Sequence, residues 1–275
     1  MSKSSLLFVF VIIHTAVFAQ YDGGYAGGRQ AALGGSSVNL KDGWSILNNT
    51  AGMGDTEKMS AGIFYKTQYS LNEFSLKGAA FQLPTDIGAF GLAFTYYGYN
   101  IYNEKRFVFG YGRHFMPMLR GGVGLEYLHT RIDDDFDEIS SSKGVITFHA
   151  GLQADLSEKI ELGFSVFNPW AAKLSEYEKE NIPAIARLGL SYSPDENFLF
   201  LAEAEQNSEF GLRIKAGAEY KLHKKLIARG GFKTNPAEYT FGVGTEFLEI
   251  KFNVSVSYHL ILGYSPHGDI LYGFE

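Results

Sequence analysis

The sequence predicts an all-β protein, a transmembrane antiparallel β-barrel of about 14 strands. Three observations carry that expectation: apolar residues recur with period two over most of the chain, connections alternate between short and longer, and a secretory leader precedes them. Composition agrees. The 275 residues include 32 Gly, 17 Tyr, 23 Phe and no Cys, at a net charge of −6. So many aromatics argue against a disordered chain, and the lack of Cys argues against a small disulfide scaffold. An acidic balance without a basic patch gives no reason to expect a nucleic-acid partner.

Residues 1–19 read as a signal peptide, because Lys3 precedes the apolar run Leu6 to Ile13 and Val17-Phe18-Ala19 fits a cleavage site. That run is too short to cross a bilayer as a helix, and no later stretch reaches about 18 apolar residues. Export without a helical anchor points to the bacterial outer membrane, with its lipid as the first partner.

The span 57–275 is the barrel domain. Ile250, Phe252, Val254, Val256 and Tyr258 share one face of a strand, while Lys251, Asn253, Ser255, Ser257 and His259 share the other. The same reading gives segments at 57–69, 73–83, 87–98, 105–115, 119–131, 142–156 and 160–167. It continues at 183–193, 197–205, 210–222, 226–233, 238–247, 250–262 and 268–275. Each strand with its turn takes roughly 15 to 16 residues, which suits strands of about 9 to 11 residues that cross a bilayer. Lys66, Lys77, Arg106, Glu126, Arg187, Glu203, Glu205, Arg213, Lys215, Glu219 and Arg229 are assigned to the polar, inward face. Tyr65, Phe94, Tyr96, Tyr192, Tyr239 and Tyr258 suit interfacial girdles on the outward face.

The even connections, such as Met116-Pro117-Met118, Ser157-Glu158-Lys159 and Leu248-Glu249, are short, and the odd ones include two long loops, about 132–141 and 168–182. Short periplasmic turns and longer external loops are the outer-membrane arrangement. Asp133, Asp134 and Asp135 in the first loop and Trp170 in the second are therefore candidate partner contacts. The acidic run Asp133 to Glu138 lacks the Gly and ligand spacing of a calcium loop and reads as solvated. No metal, cofactor or catalytic group is expected: the His residues are scattered, no Cys assists them, and Gly242-Val243-Gly244 lies inside a strand.

Residues 20–56 break the alternation. They contain Gly27-Gly28-Arg29, Gly34-Gly35, Asp42-Gly43-Trp44 and Asn48-Asn49-Thr50-Ala51-Gly52. A Gly-x-Arg-x-x-x-x-Gly opening, an acidic-aromatic stretch and an Asn-x-Ala-Gly motif resemble the start of FadL-type outer-membrane barrels. The closer likeness is to the PorV/PorQ-like branch associated with type IX secretion, although Thr50 stands where that family has Pro. The resemblance implies that residues 20–56 fold back into the barrel as a hatch, with Arg29, Trp44, Asn48, Asn49, Ala51 and Gly52 as its signature. It implies a non-enzymatic accessory subunit of a larger outer-membrane complex for protein secretion or barrel assembly. The alternative is a FadL-like transporter whose partner is a small hydrophobic ligand. Glycines such as Gly62, Gly91, Gly112, Gly122, Gly151, Gly189, Gly217 and Gly231 fall inward and leave room, either for the hatch or for a ligand path.

Overall fold

The computed structural model describes residues 25–134, 139–172 and 182–274. The leader therefore lies outside the described residues. Strands β1 Ser60–Thr67, β2 Ser75–Thr85, β3 Gly88–Gly98, β4 Tyr102–Met116, β5 Leu119–Asp134, β6 Ile139–Ser157 and β7 Ile160–Phe167 form the first half of the wall. The second half is β8 Ile185–Tyr192, β9 Phe198–Asn207, β10 Gly211–His223, β11 Leu226–Lys233, β12 Glu238–Phe247, β13 Ile250–His259 and β14 Gly263–Gly273. Each strand pairs antiparallel with its sequence neighbours, and β1 pairs with β14, so the barrel closes. Closure removes the free sheet edge that lipid could not hydrogen-bond.

The alternation has the orientation of a membrane barrel. Ile63, Leu92, Phe241 and Val254 point outward and are exposed, Val254 by 63%, while Glu126, Glu205 and Thr240 point inward and are buried. A soluble barrel would bury the apolar set instead. Lys77 departs from the expected inward placement. Its register partners Tyr65 and Tyr96 face outward, and so does it, with Nζ 4.8 Å from the centre of the Tyr96 ring. Near a strand end a Lys can lay its stem along the apolar wall and present its charge to the interface.

Two expected boundaries move. The predicted loop 132–141 is mostly hairpin, because the β5–β6 ladder continues to the pair Asp134 and Ile139. Strand pairing needs only backbone groups, so charged and Ser residues sustain it where both faces are wet. At the other end of the chain β13 stops at His259 and β14 begins at Gly263, five residues before the expected start. Leu260, Ile261 and Leu262 form the turn between them. Their apolarity hides the turn from a periodicity reading, and Gly263, at φ 84°, is the residue that marks it.

The residues before β1 lie inside the barrel, and their short helices pack on the inner faces of β3 to β6 and β11 to β14. The free ends of the first and last strands, at Ser60 and Gly273, lie at the same rim as the short turns, and the end with the longer connections is the outer end.

The outward face gives a direct test. Val254→Arg should impair assembly by about 2 to 4 kcal/mol, the cost of a lipid-facing Arg near mid-bilayer. Lys251→Gln, at the half-exposed mouth of the lumen, should leave heat-modified gel mobility unchanged. Equal behaviour of the two variants would overturn the inside-out assignment.

Candidate functional site

The inner segment consists of α1 Gly28–Ala32, a run of tight turns, α2 Ser45–Asn48 and a 3-10 turn over Thr50–Asp55. Helices of five and four residues are not stable alone. The wall supplies what they lack. Gly28 N donates to Asp269 Oδ2, and Ser37 N and Val38 N both donate to Glu203 Oε2, at 2.7 and 2.9 Å. Gly34 N donates to Thr240 Oγ1 at 2.9 Å, and that hydroxyl donates to Ala32 O at 2.8 Å. Gln153 Nε2 donates to Val38 O at 2.9 Å. Polar groups of the strands thereby satisfy backbone groups that water cannot reach.

Inward glycines allow this approach. A Cβ at Gly151 would lie 1.8 Å from Asn49 Oδ1, and one at Gly112 would lie 2.3 Å from Thr50 O. At Gly122, Gly189, Gly217 and Gly231 the obstructing atoms are Thr50 C, Val38 Cγ1, Leu33 O and Gly34 N, at 2.2 to 2.7 Å. The wall gives up side chains on successive strands so that the segment's backbone can touch its own. Gly34 must also be glycine for its φ of 69° and for the carbonyl of Phe232, 2.5 Å from where its Cβ would stand.

Charged pairs line β8 to β11. Arg187 Nε and Arg213 Nη1 bond Glu205 at 2.8 and 3.2 Å, and Lys215 Nζ bridges Glu203 and Glu205 at 2.9 and 2.8 Å. Glu219 takes Arg229 Nε at 2.6 Å and also Arg29 Nε and Nη2 at 2.8 and 3.0 Å. Burial opposes the charge on Arg29, but the carboxylates of Glu219 and Asp42 outweigh it and hold its pKa above the ordinary arginine value. Near the short-turn rim, Lys41 pairs with Asp55, Asp155 and Glu161, and Arg120 reaches the same three carboxylates.

The other residues singled out in the sequence fall into distinct places. Trp44 is buried and packs edge-on against Phe64 of β1, with ring centres 5.2 Å apart. Asn48 staples the segment to itself, accepting from Ala26 N at 3.0 Å and donating to Ala26 O at 3.1 Å. Asn49 Nδ2 donates to Val38 O at 2.7 Å, and Asn49 Oδ1 accepts from Ala51 N at 3.1 Å. Thr50 follows without the Pro of the motif, and the side chain of Asn49 caps the turn in its place. Ala51 is fully buried, and a Cβ at Gly52 would meet Leu40 O at 2.7 Å. Asp133 pairs with Arg131 on β5, and Asp134 lies on the same strand opposite Ile139. Asp135 lies outside the described residues. Trp170 is 71% exposed and rests on Phe148 of the outer wall at 4.3 Å between ring centres.

Sequence reasoning missed the asymmetry of the lumen. Trp44, Ile46, Leu47 and Met53 pack against Phe64, Leu76, Ala80, Ala89, Ala93, Tyr97 and Val108, so β1 to β4 present an apolar patch on their inner face, with Lys66, Glu104 and Arg106 toward its outer end, whereas the inner face of β8 to β11 is mainly charged. Behind it, the outward face of the same strands forms a concavity of about 790 Å³ that includes Ala79, Phe94, Phe107 and Tyr127. The signal was available in the inward residues of β2 and β3, where Gly78, Ala80, Ala89, Gly91 and Ala93 are small and uncharged.

A closed 14-strand antiparallel barrel with polypeptide packed in its lumen defines the class, and its apolar exterior is that of a bacterial outer-membrane barrel. No protein-family model matches the chain, and no curated protein matches its sequence. The fold is similar to the CymD monoaromatic hydrocarbon channel, with TM-score 0.71 and 12% identity over 92% of this chain and 98% of that one. The toluene transporter TbuX of Ralstonia pickettii gives 0.68 and 12% over 92% and 99%. A FadL homologue of Pseudomonas aeruginosa gives 0.66 and 12% over 91% and 99%. The architecture is thus that of the FadL-type outer-membrane barrels.

The contacts at the glycines lead to a measurable outcome. In a Trp170→Phe background, where Trp44 is the only tryptophan, Gly151→Val and Gly231→Val should red-shift emission as Trp44 leaves its buried site. They should also open the segment to protease while the barrel stays assembled. Gly230→Val, on the outward face with no heavy atom closer than 3.8 Å to an added Cβ, is the control.

Proposed function

We propose that the chain carries small hydrophobic molecules, and that their path is the apolar seam between the inner segment and β1 to β4. The carrying observation is the division of the lumen. Ion pairs and charge-assisted hydrogen bonds pin the segment to Glu203, Glu219 and Asp269, whereas dispersion and apolar burial hold Trp44, Ile46 and Met53 on the other side. Breaking a buried ion pair costs about 3 to 5 kcal/mol, while apolar side chains re-pack against an apolar guest at little net cost. A guest that displaces Trp44 or Met53 therefore finds the compliant side of the plug. Likeness to structures described as monoaromatic hydrocarbon channels and toluene transporters supports this reading.

Toluene titrated into the Trp170→Phe protein should change Trp44 emission saturably, and Ala93→Phe, which fills the seam, should weaken that response at least several-fold. A response that never saturates, or one indifferent to Ala93→Phe, would remove the seam from the path. Planar bilayers should show no stable ion conductance, because the charged side of the lumen is occupied by paired groups. Deleting residues 25–52 should create conductance.

A second reading, an accessory subunit of a secretion or assembly complex, is supported by the PorV/PorQ-like motif and by the exposed Trp170 beside the external rim. Gentle solubilisation should then recover a large partner, and Trp170→Ala with Asp133→Asn should lose it without loss of barrel mobility. A lone barrel in that preparation leaves the transport reading.

A further inference from the structure

We infer, resting on the transport reading above, that the seam selects hydrophobic molecules with one uncharged hydroxyl, and that His149 of β6 accepts its hydrogen bond. A row of glycines leads to that residue. Gly91 on β3 is opposite Gly110 on β4, Gly110 is opposite Gly124 on β5, and Gly124 is opposite His149. Three successive strands thus contribute no side chain to one row across the inner wall. At about 4.8 Å per strand the row makes a trough roughly 10 Å long from Gly91 to Gly124, and His149 closes its end.

The inner segment covers this trough with compliant side chains. A Cβ at Gly91 would lie 2.7 Å from Ile46 Cδ1 and 2.8 Å from Met53 Cε. One at Gly110 would lie 3.0 Å from Ile46 Cγ1 and 3.3 Å from Met53 Sδ. Met53 is unbranched and re-packs readily, which makes it the first side chain a guest would displace. At Gly124 the covering group is the imidazole itself, with Nε2 2.6 Å from where a Cβ would stand. Ile46 and Met53 therefore lie over two glycines of the row and Nε2 over the third, so a guest that takes the place of Met53 comes up against that nitrogen.

What Nε2 can do is set by the other side of the ring. Nδ1 bonds Glu126 Oε1, and a carboxylate only accepts, so Nδ1 carries the hydrogen. Arg106 Nε and Nη2 also donate to Glu126, at 2.6 and 2.8 Å, and this guanidinium already balances the carboxylate's charge. The ring is then the neutral tautomer, with a lone pair on Nε2. His149 is 5% exposed, and among the described residues Nε2 has no hydrogen-bond partner. Buried acceptors are rarely left so, because losing water without a replacement is costly. The second nitrogen is thereby held over the trough for a donor that arrives with the guest. A hydrocarbon offers no donor and a carboxylate no hydrogen, whereas a phenol or an alcohol brings one O–H on an apolar body.

Four ligands of similar shape test this. Toluene is the bare body, p-cresol adds a hydroxyl, 4-methylanisole keeps the oxygen without its hydrogen, and p-toluate adds a carboxylate. Each is titrated calorimetrically into the full chain in nonionic detergent, with the heat of protein-free micelles subtracted. p-Cresol should bind about tenfold more tightly than toluene or 4-methylanisole, the gain from one hydrogen bond to a buried acceptor, and p-toluate should be weakest. In His149→Phe, p-cresol and toluene should bind alike. Should that variant fail to assemble, the native chain decides, because the preference for p-cresol over 4-methylanisole isolates the donated hydrogen. Toluene binding with no preference for p-cresol, equal binding of 4-methylanisole, tightest binding of p-toluate, or a preference that survives in His149→Phe would each overturn the selection by His149 and leave the transport reading standing. Failure of all four ligands to bind would remove the transport reading itself, and the selection with it.

Discussion

Fourteen strands enclose more space than their own side chains fill, and everything inside this protein depends on how that space is closed. The filling is backbone set against backbone. Glycines at inward positions of β4, β5, β6, β8, β10 and β11 let the inner segment come within contact of the wall. At that range its N–H groups reach Glu203, Thr240 and Asp269 directly. Larger inward residues would hold the segment at a distance where only water could satisfy those groups. The same glycines weaken the strands they occupy, a cost of roughly 0.5 to 1 kcal/mol each, which the ladder on both sides of every strand and the packed segment together offset.

Charge pairing inside the barrel follows from this closure. Once the segment excludes water, inward carboxylates need donors within reach, and along β8 to β11 the register supplies cations: Arg187 on β8 and Arg213 on β10 stand opposite Glu205 of β9 from either side, as Lys215 stands opposite Glu203 and Arg229 opposite Glu219. Arg29 joins the last pair from the segment, so one carboxylate ties two wall strands and the plug together. Such a network is weak evidence for net stability, since desolvation consumes much of the Coulomb gain, but removing one partner strands the others. It fixes position more than it adds stability.

Much of this was legible in the sequence. The faces of β10, β12 and β13 could be read from alternation alone, because lipid on one side and a polar lumen on the other impose opposite chemistry on successive residues. Turns announced by Pro or by paired polar residues, such as Met116-Pro117-Met118, were equally plain. What alternation could not show was register. The pairing of Glu219 with both Arg29 and Arg229 joins residues 190 and 10 positions away, and nothing local specifies the longer link. Lys77 shows the same limit: a single charge on a strand of Gly, Ala, Leu and Phe reads as lumenal because charge usually is, while the burial of Gln82 and Ala80 sets the parity the other way. The acidic run at Asp133 looked like loop because its composition is that of loops, yet outside the membrane a hairpin imposes no apolar requirement.

The division of the lumen ties the fold to a way of working. A plug held evenly on all sides would open only by breaking everything at once, and a plug held nowhere would leak ions. Here the firm contacts lie on one arc and the apolar ones on the other, so the free energy of local opening differs around the circumference. Trp44, Ile46 and Met53 meet Ala80, Ala93 and Val108 through apolar contact alone, while Arg29 and the amides of Ser37 and Val38 are held by charged groups, so on the transport reading the first set would yield before the second. Opening on that arc exposes apolar wall to the gap and leaves the buried charges paired. On the transport reading proposed above, it would favour an apolar occupant over a hydrated ion, and selectivity would follow from which contacts yield first rather than from a filter built for one molecule.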